Sequence, residues 1–135
     1  MQFHEFIGQV QHRARLESSE AALRATRVTL ETLAERLSGG EPSDLGAQLP
    51  REIAAFLGGP AAGSGERFSV DEFYHRVSER EGIDLPAAVF HARVVLDVLG
   101  DAVSTGEMQD VRAQLPADFQ PLFEAGSEGA MPPAS

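Results

Sequence analysis

One thirteen-residue pattern occurs twice in the chain, and this repeat constrains the fold more than any other feature. The segment SGGEPSDLGAQLP begins at Ser38, and STGEMQDVRAQLP begins at Ser104, 66 residues later. The long segments before the two copies match at the same offset, which becomes 67 nearer the start of each unit. A repeat of this kind predicts one supersecondary unit built twice, with the apolar faces of the two copies packed together.

Each unit carries apolar residues at the three- and four-residue spacing of an amphipathic helix. In the longest segment of the first unit, Leu23, Leu30 and Leu37 share one stripe. No segment shows the sustained alternation of a half-buried strand. The predicted fold class is therefore all-α, a pseudo-twofold helical bundle made of two tandem repeats of about four helices each.

Helix boundaries follow from local signals. The two longest helices are predicted at about Glu20–Leu37 and Pro86–Val103. Ser38 with Glu41, and Ser104 with Glu107, have the form of a capping box. In that motif the serine hydroxyl accepts a hydrogen bond from an amide of the helix, and the glutamate reaches back to the serine amide.

Composition shifts mark the domain organisation. We expect a single helical domain over 1–125, with repeat one at 3–57 and repeat two at 69–124. The glycine-rich stretch 58–67 is predicted to be a linker between the repeats. The tail 126–135 is predicted to be disordered.

Composition also excludes several partners and kinds of chemistry. With 21 acidic and 11 basic residues the net charge is −10, which repels phosphate backbones and anionic lipid headgroups, so neither nucleic acid nor a membrane is expected as a partner. All basic residues are arginine and cysteine is absent, which rules out a lysine Schiff base and a thiolate nucleophile or metal site. No signal-peptide pattern or membrane-length apolar run is present, so we expect a soluble cytoplasmic protein.

No catalytic constellation stands out. No serine lies in a nucleophile-elbow context, and the glycine-rich stretch lacks the setting of a phosphate loop. His75 and Glu79, one helical turn apart, could bind a metal weakly, but a solvated pair is the favoured interpretation. We therefore predict that the chain is not an enzyme and has no catalytic, cofactor-binding or metal site.

Two kinds of charge repeat at equivalent positions of the units: Arg27 with Arg93, and Asp44 with Asp110. We expect a bidentate pair inside each half, Arg27 with Asp44 and Arg93 with Asp110, that ties the short helix to the long one. The alternative is a pseudo-symmetric anion site lined by the two arginines.

The two long helices differ in polarity. Three polar positions of the first become apolar in the second: Arg24 becomes Phe90, Thr29 becomes Val95, and Thr32 becomes Val98. Three such side chains exposed together would form an unusual apolar patch on a soluble monomer. We therefore expect them to be more buried than their counterparts, covered either by the first half and linker or by a second chain, and to form a candidate interaction surface.

Each unit contains Phe-x-x-x-Val, at Phe6–Val10 and Phe73–Val77, then an alanine-rich long helix and an acidic short helix that closes with Ala-Gln-Leu-Pro. In these features the chain resembles the bacterial domain-of-unknown-function family 2267, over about residues 3–124. The resemblance implies an all-helical bacterial domain with no established activity. Members of that family can occur alone or beside stress-related and ligand-sensing modules, which implies a regulatory or stress-linked role.

These observations favour a non-enzymatic helical interaction or regulatory domain that acts through contacts with another protein or with itself. The alternative is a small-molecule or metal-sensing domain, with a pocket between the repeats near Arg27 and Arg93. The expected cofactor content is none.

Overall fold

The computed structural model of the chain describes residues 1–124. Eight α-helices lie in this part of the chain: α1 Phe3–Arg13, α2 Ser19–Arg36, α3 Glu41–Gly46, α4 Arg51–Ala54, α5 Val70–Glu81, α6 Leu85–Ala102, α7 Thr105–Ala113 and α8 Gln120–Glu124. A 3₁₀ turn at Ala55–Leu57 follows α4, and another at Ala117–Phe119 precedes α8. The tail predicted to be disordered lies outside the described residues.

The all-α fold class is confirmed. Between residues 1 and 124 there is no strand, and the sole β-type pairing is an isolated bridge between Ser38 and Ser64. Two longer helices followed by short ones recur in both halves, while the pseudo-twofold relation of the halves stays a prediction. Among the described helices, none combines the length and the apolar character needed to cross a membrane.

Side-chain caps fix helix starts that the sequence indicates. Ser69 accepts a hydrogen bond from the backbone amide of Glu72 at the start of α5, and Asp84 accepts one from Ala87 at the start of α6. Such caps satisfy amides that have no partner inside the helix. Both long helices, α2 and α6, begin and end within one residue of the predicted boundaries.

The core lies between the four longer helices, and both halves contribute to it. Helix α1 packs against α2 and α6, and α5 packs against α6 and α2. The repeated phenylalanine and valine, Phe6 and Val10 in α1 and Phe73 and Val77 in α5, are all 0% exposed. Each such side chain stabilises the fold by about 1.5–3 kcal/mol when buried. The two halves therefore share one core, which a unit of this size would scarcely form alone.

The glycine-rich segment 58–67 is a hydrogen-bonded cap on the C-terminal end of α2 and not a loose linker. Three of its amides donate to backbone carbonyl oxygens there, at 2.9–3.0 Å: Gly63 to Ala34, Gly65 to Leu37 and Glu66 to Glu35. The last carbonyls of a helix have no partner within it. The segment supplies those partners and so joins the first half to the start of α5.

Gly63 gives a direct test of this cap. Its φ is +80°, and an added Cβ would lie 2.5 Å from the carbonyl oxygen of Gly39. Since both the left-handed backbone and the clash disfavour a side chain, we expect Gly63→Ala to lower the free energy of unfolding by at least about 2 kcal/mol in urea titrations. Gly59→Ala is the matched control, because a Cβ there meets nothing within 4 Å. Equal losses in the two variants would contradict the cap.

Candidate functional site

The two copies of the thirteen-residue pattern meet where α3 lies against α7. The backbone amide of Ser38 donates to Oε1 of Gln114 at 2.8 Å. In return, the amide of Ser104 donates to Oε1 of Gln48 at 2.7 Å. Each half therefore caps a serine amide of the other half with the glutamine of its Ala-Gln-Leu-Pro segment. We call this region, comprising these four residues and the acidic residues of α3 and α7, the α3–α7 junction.

The capping-box prediction is only partly correct at this junction. The hydroxyl of Ser104 does accept a hydrogen bond from the amide of Glu107, at 3.1 Å. Helix α3, however, has Gly40 as its N-cap and no side-chain cap. Because glutamine side chains from the opposite halves occupy both serine amides, neither glutamate reaches back to its serine. The carboxylates of Glu41 and Glu107 therefore do not cap the serine amides.

Three carboxyl groups converge at the junction, and the two halves both contribute. Glu41, Glu107 and Asp110 each offer an oxygen, and these oxygens all lie within 4.8 Å of one another. Glu41 is only 9% exposed. Its Oε2 is buried and has no hydrogen-bond partner, and the same is true of Oε2 of Glu107. Gln48 contacts the cluster as well, since its Nε2 donates to Oε1 of Glu107 at 3.3 Å.

The electrostatics of the junction are unbalanced. The pKa of Glu41 is raised to about 8, mainly by burial and in addition by a hydrogen bond with Glu107 and the charges of Glu107, Asp110 and Asp44. Within residues 1–124, no arginine forms an ion pair with any of these four carboxylates. The junction therefore concentrates negative charge without a protein cation to offset it.

Two other partly buried carboxylates, both at contacts between the halves, are paired with arginine. Glu35 of α2 lies 2.9 Å from Arg76 and 2.7 Å from Arg80, both on α5. Arg13 of α1 pairs with Asp97 of α6. Since arginine partners are supplied at these contacts between the halves, their absence at the α3–α7 junction distinguishes it from an ordinary structural contact.

The predicted pairs Arg27–Asp44 and Arg93–Asp110 do not form, so that prediction was wrong. Arg27 lies on the solvent side of α2, 3.8 Å from Glu31. Nε of Arg93 is buried without a hydrogen-bond partner among the described residues. The physical reason is the direction of α3, which packs against α4 and α7. Both aspartates therefore lie near the junction and not beside the arginine of their own half.

Arg93 lies beside Tyr74, whose hydroxyl is likewise buried and without a hydrogen-bond partner in the described part of the chain. Burial raises the pKa of Tyr74, and the nearby Arg93 acts in the opposite direction. Arg27 is on a half-exposed surface with its i+4 glutamate. The two repeated arginines thus have different surroundings, and neither forms an ion pair with the aspartate of its own half.

The predicted interaction surface is mostly interior. Val95 and Val98 are 0% exposed within the single chain, and only Phe90 remains partly accessible. Thr29 and Thr32 are also 0% exposed, so the burial difference between the helices comes from Phe90 and its exposed counterpart Arg24. The threonines tolerate burial in part because the Thr32 hydroxyl donates to the Val28 carbonyl at 2.8 Å. The two valines are covered within the single chain, where α6 packs against α1, α2, α5 and α8, and they are not available to a partner.

Sequence reasoning did not identify Glu41, Glu107, Gln48 or Gln114 as site residues. The sequence signal that could have identified them is that Glu and Gln recur at equivalent positions of the two copies, although a helix requires neither residue. We interpreted the glutamates as caps, because a capping box accounts for them locally. His91 was a second omission, since its Nδ1 lies 2.6 Å from Oε2 of Glu81 in the interior.

Within residues 1–124, the fold and the junction define an all-helical domain that holds a group of carboxyl groups without an arginine partner between α3 and α7. The chain belongs to the family of uncharacterised conserved proteins DUF2267, whose model matches residues 3–122. The family predicted from the repeated motifs is thereby confirmed. Comparison with curated proteins gave no significant match.

Proposed function

We propose that the chain is a non-enzymatic regulatory domain that responds to a small positively charged ligand at the α3–α7 junction. The observation that carries this proposal is the buried carboxylate of Glu41, whose Oε2 lacks a hydrogen-bond partner and which faces Glu107 and Asp110. Because the pKa of Glu41 is raised to about 8, first by burial, its carboxyl group keeps a proton at neutral pH unless a cation stabilises the charged form. A cation bound here would supply the missing partner and would link α3 to α7.

Two open cavities of residues 1–124 lie away from the junction carboxyl groups, which is in keeping with a non-enzymatic role. Enzymes bind small substrates in a concave pocket next to the catalytic groups. An open cavity of about 630 Å³ lies near His75 and Glu79, and another of about 720 Å³ lies near Phe3 and Arg51. Neither of these two cavities is lined by Glu41, Glu107 or Asp110.

Protein–protein contact through the α6 surface has less support than ligand sensing. Two of the three side chains expected to form that surface, Val95 and Val98, are inaccessible in the single chain. The junction, in contrast, contains residues from both halves, so a ligand bound there would change the contacts between α3 and α7. Contacts with a partner protein are, in this proposal, the output of that change.

A thermal-shift panel tests the proposal. Chelator-treated full chain is heated with CaCl₂, MgCl₂, MnCl₂, putrescine or spermidine, each matched with NaCl for ionic strength. A ligand that binds only the folded state at 100 times its Kd adds about 2.7 kcal/mol of stability, so at least one cation should raise Tm by several degrees. The rise should be lost in Glu41→Gln and kept in Glu79→Gln, an exposed glutamate outside the junction. If no cation exceeds its NaCl match, the proposal is wrong.

A further inference from the structure

We infer that the ligand of the junction is a single hard divalent metal ion of the calcium and magnesium class, bound by Glu41 of α3 and by Glu107 and Asp110 of α7. This inference rests on the proposed function and narrows it from a positively charged ligand to a metal ion. It assigns a site to residues that were expected, from the sequence, to bind no metal.

The spacing of the oxygens fits one ion. All three carboxylates offer an oxygen within 4.8 Å of the other two. The centre of three such oxygens lies within about 2.8 Å of each, close to the 2.3–2.6 Å at which calcium binds oxygen and longer than the 2.0–2.1 Å of magnesium, so small side-chain shifts would bring all three onto one ion. An organic ammonium would also need a groove for its carbon chain, and the cavities near His75 and near Phe3 open elsewhere.

The burial of Glu41 separates this group from an ordinary acidic surface cluster. Exposed carboxylates satisfy their oxygens with water and repel one another weakly. Here Glu41 is 9% exposed, and the Oε2 atoms of Glu41 and Glu107 are both shielded and without a hydrogen-bond partner. Each shielded, unpaired oxygen costs free energy, and a metal ion bound between the carboxylates would offset that cost.

The chemistry of the ligands selects the class of ion. The group consists of carboxylates alone, with no imidazole in it, and the chain has no cysteine. Carboxylate oxygens suit Mg²⁺, Ca²⁺ and Mn²⁺, whereas zinc and copper sites nearly always include histidine or cysteine ligands. Asp110 is exposed, which leaves the outer side of the ion open to water, as these ions require.

The geometry within α7 also favours joint ligation. Glu107 and Asp110 are three residues apart, so their side chains project from the same face of the helix. Glu41 approaches from the other half, and Gln48 of that half donates to Oε1 of Glu107 at 3.3 Å. The amide of Gln48 thereby orients one ligand while its oxygen accepts from Ser104. One ion would therefore connect the two halves at the junction, where Gln48 and Gln114 already form hydrogen bonds between them.

Isothermal titration calorimetry with CaCl₂, and separately with MgCl₂, tests the inference on EDTA-treated, desalted full chain. We expect one ion per chain for at least one of the two salts. Glu41→Gln and Glu107→Gln should each weaken binding at least tenfold, Asp110→Asn should weaken it less, and Glu79→Gln should leave it unchanged. Glu41→Gln keeps the side-chain shape, and circular dichroism checks that the variant is folded. Loss of binding in the folded variant is then due to loss of a carboxylate ligand.

The outcomes separate the inference from the proposed function. If spermidine or putrescine binds in a Glu41-dependent manner and neither divalent ion does, the metal inference is overturned while the regulatory proposal stands. If none of these cations binds, both fail. Divalent ions that bind equally well to Glu41→Gln and Glu107→Gln occupy another place, and that result also overturns the inference.

Discussion

In chelator-treated protein, raising the pH from about 4.5 to about 8 should lower the free energy of unfolding by up to about 5 kcal/mol through Glu41. The folded-state pKa of Glu41 is raised to about 8, first by burial and then by its hydrogen bond with Glu107 and the charges of Glu107, Asp110 and Asp44. The ordinary value is 4.5. Between these two values the folded chain binds more protons than the unfolded chain, so stability falls as the pH rises.

Urea titrations across this pH range measure the effect. Glu41→Gln should flatten the decline and be more stable than the wild type at pH 8, because it places no charge in the buried position. Glu79→Gln should retain the wild-type slope. The lowered pKa of Glu66, which its hydrogen bond to Arg76 causes, contributes stability that is present above 4.5 and lost below it, so it acts in a different pH range. A wild-type slope in Glu41→Gln would show that Glu41 is not the responsible group.

Replacing His91 by leucine should lower the free energy of unfolding by about 3–5 kcal/mol. His91 and Glu81 are 8% and 6% exposed, and the second carboxylate oxygen of Glu81 already has no hydrogen-bond partner. The imidazole Nδ1 lies 2.6 Å from Oε2 of Glu81. Without the ring, the Glu81 carboxyl group is left in the interior with no partner, and this unpaired group is the main cost.

A double-mutant cycle tests that explanation. Adding Glu81→Met to His91→Leu removes the unpaired group, so the double variant should recover much of the stability, since a buried polar pair exchanged for apolar side chains is often close to neutral. His75→Leu is the control, because His75 is exposed and contacts only the carbonyl of Asp71. Simple additivity of the two interior substitutions would contradict a direct interaction between His91 and Glu81.

The repeated cross-half hydrogen bonds explain why one pattern is present twice. Gln114 accepts from Ser38, and Gln48 accepts from Ser104. A single copy of the pattern could not make either bond, since each serine lies in one half and its glutamine in the other. The two copies of the pattern together therefore provide both the donors and the acceptors of the junction, along with the carboxylates that approach one another there.

Failures of the sequence interpretation share one cause. Arg27 was expected to pair with Asp44, and Glu41 with the Ser38 amide, because both predictions sought partners within one half. In the structure α3 packs against α7, so the side chains that Glu41 meets, Glu107 and Asp110, lie more than sixty positions away. The glycine-rich segment 58–67, which stays the predicted linker, also makes contacts that its composition does not indicate, since its amides reach the end of α2.

The sequence by itself determined the helical class, the family, the ends of the long helices and the phenylalanine and valine of the core. These depend on apolar spacing and on caps within a few residues, which are local properties of the chain. Only the tertiary structure decided that Glu41 meets Glu107 and that each glutamine meets the serine of the other half. Residue spacing specifies which side chains share a helix face, but the distance between faces on separate helices depends on how the two halves pack together.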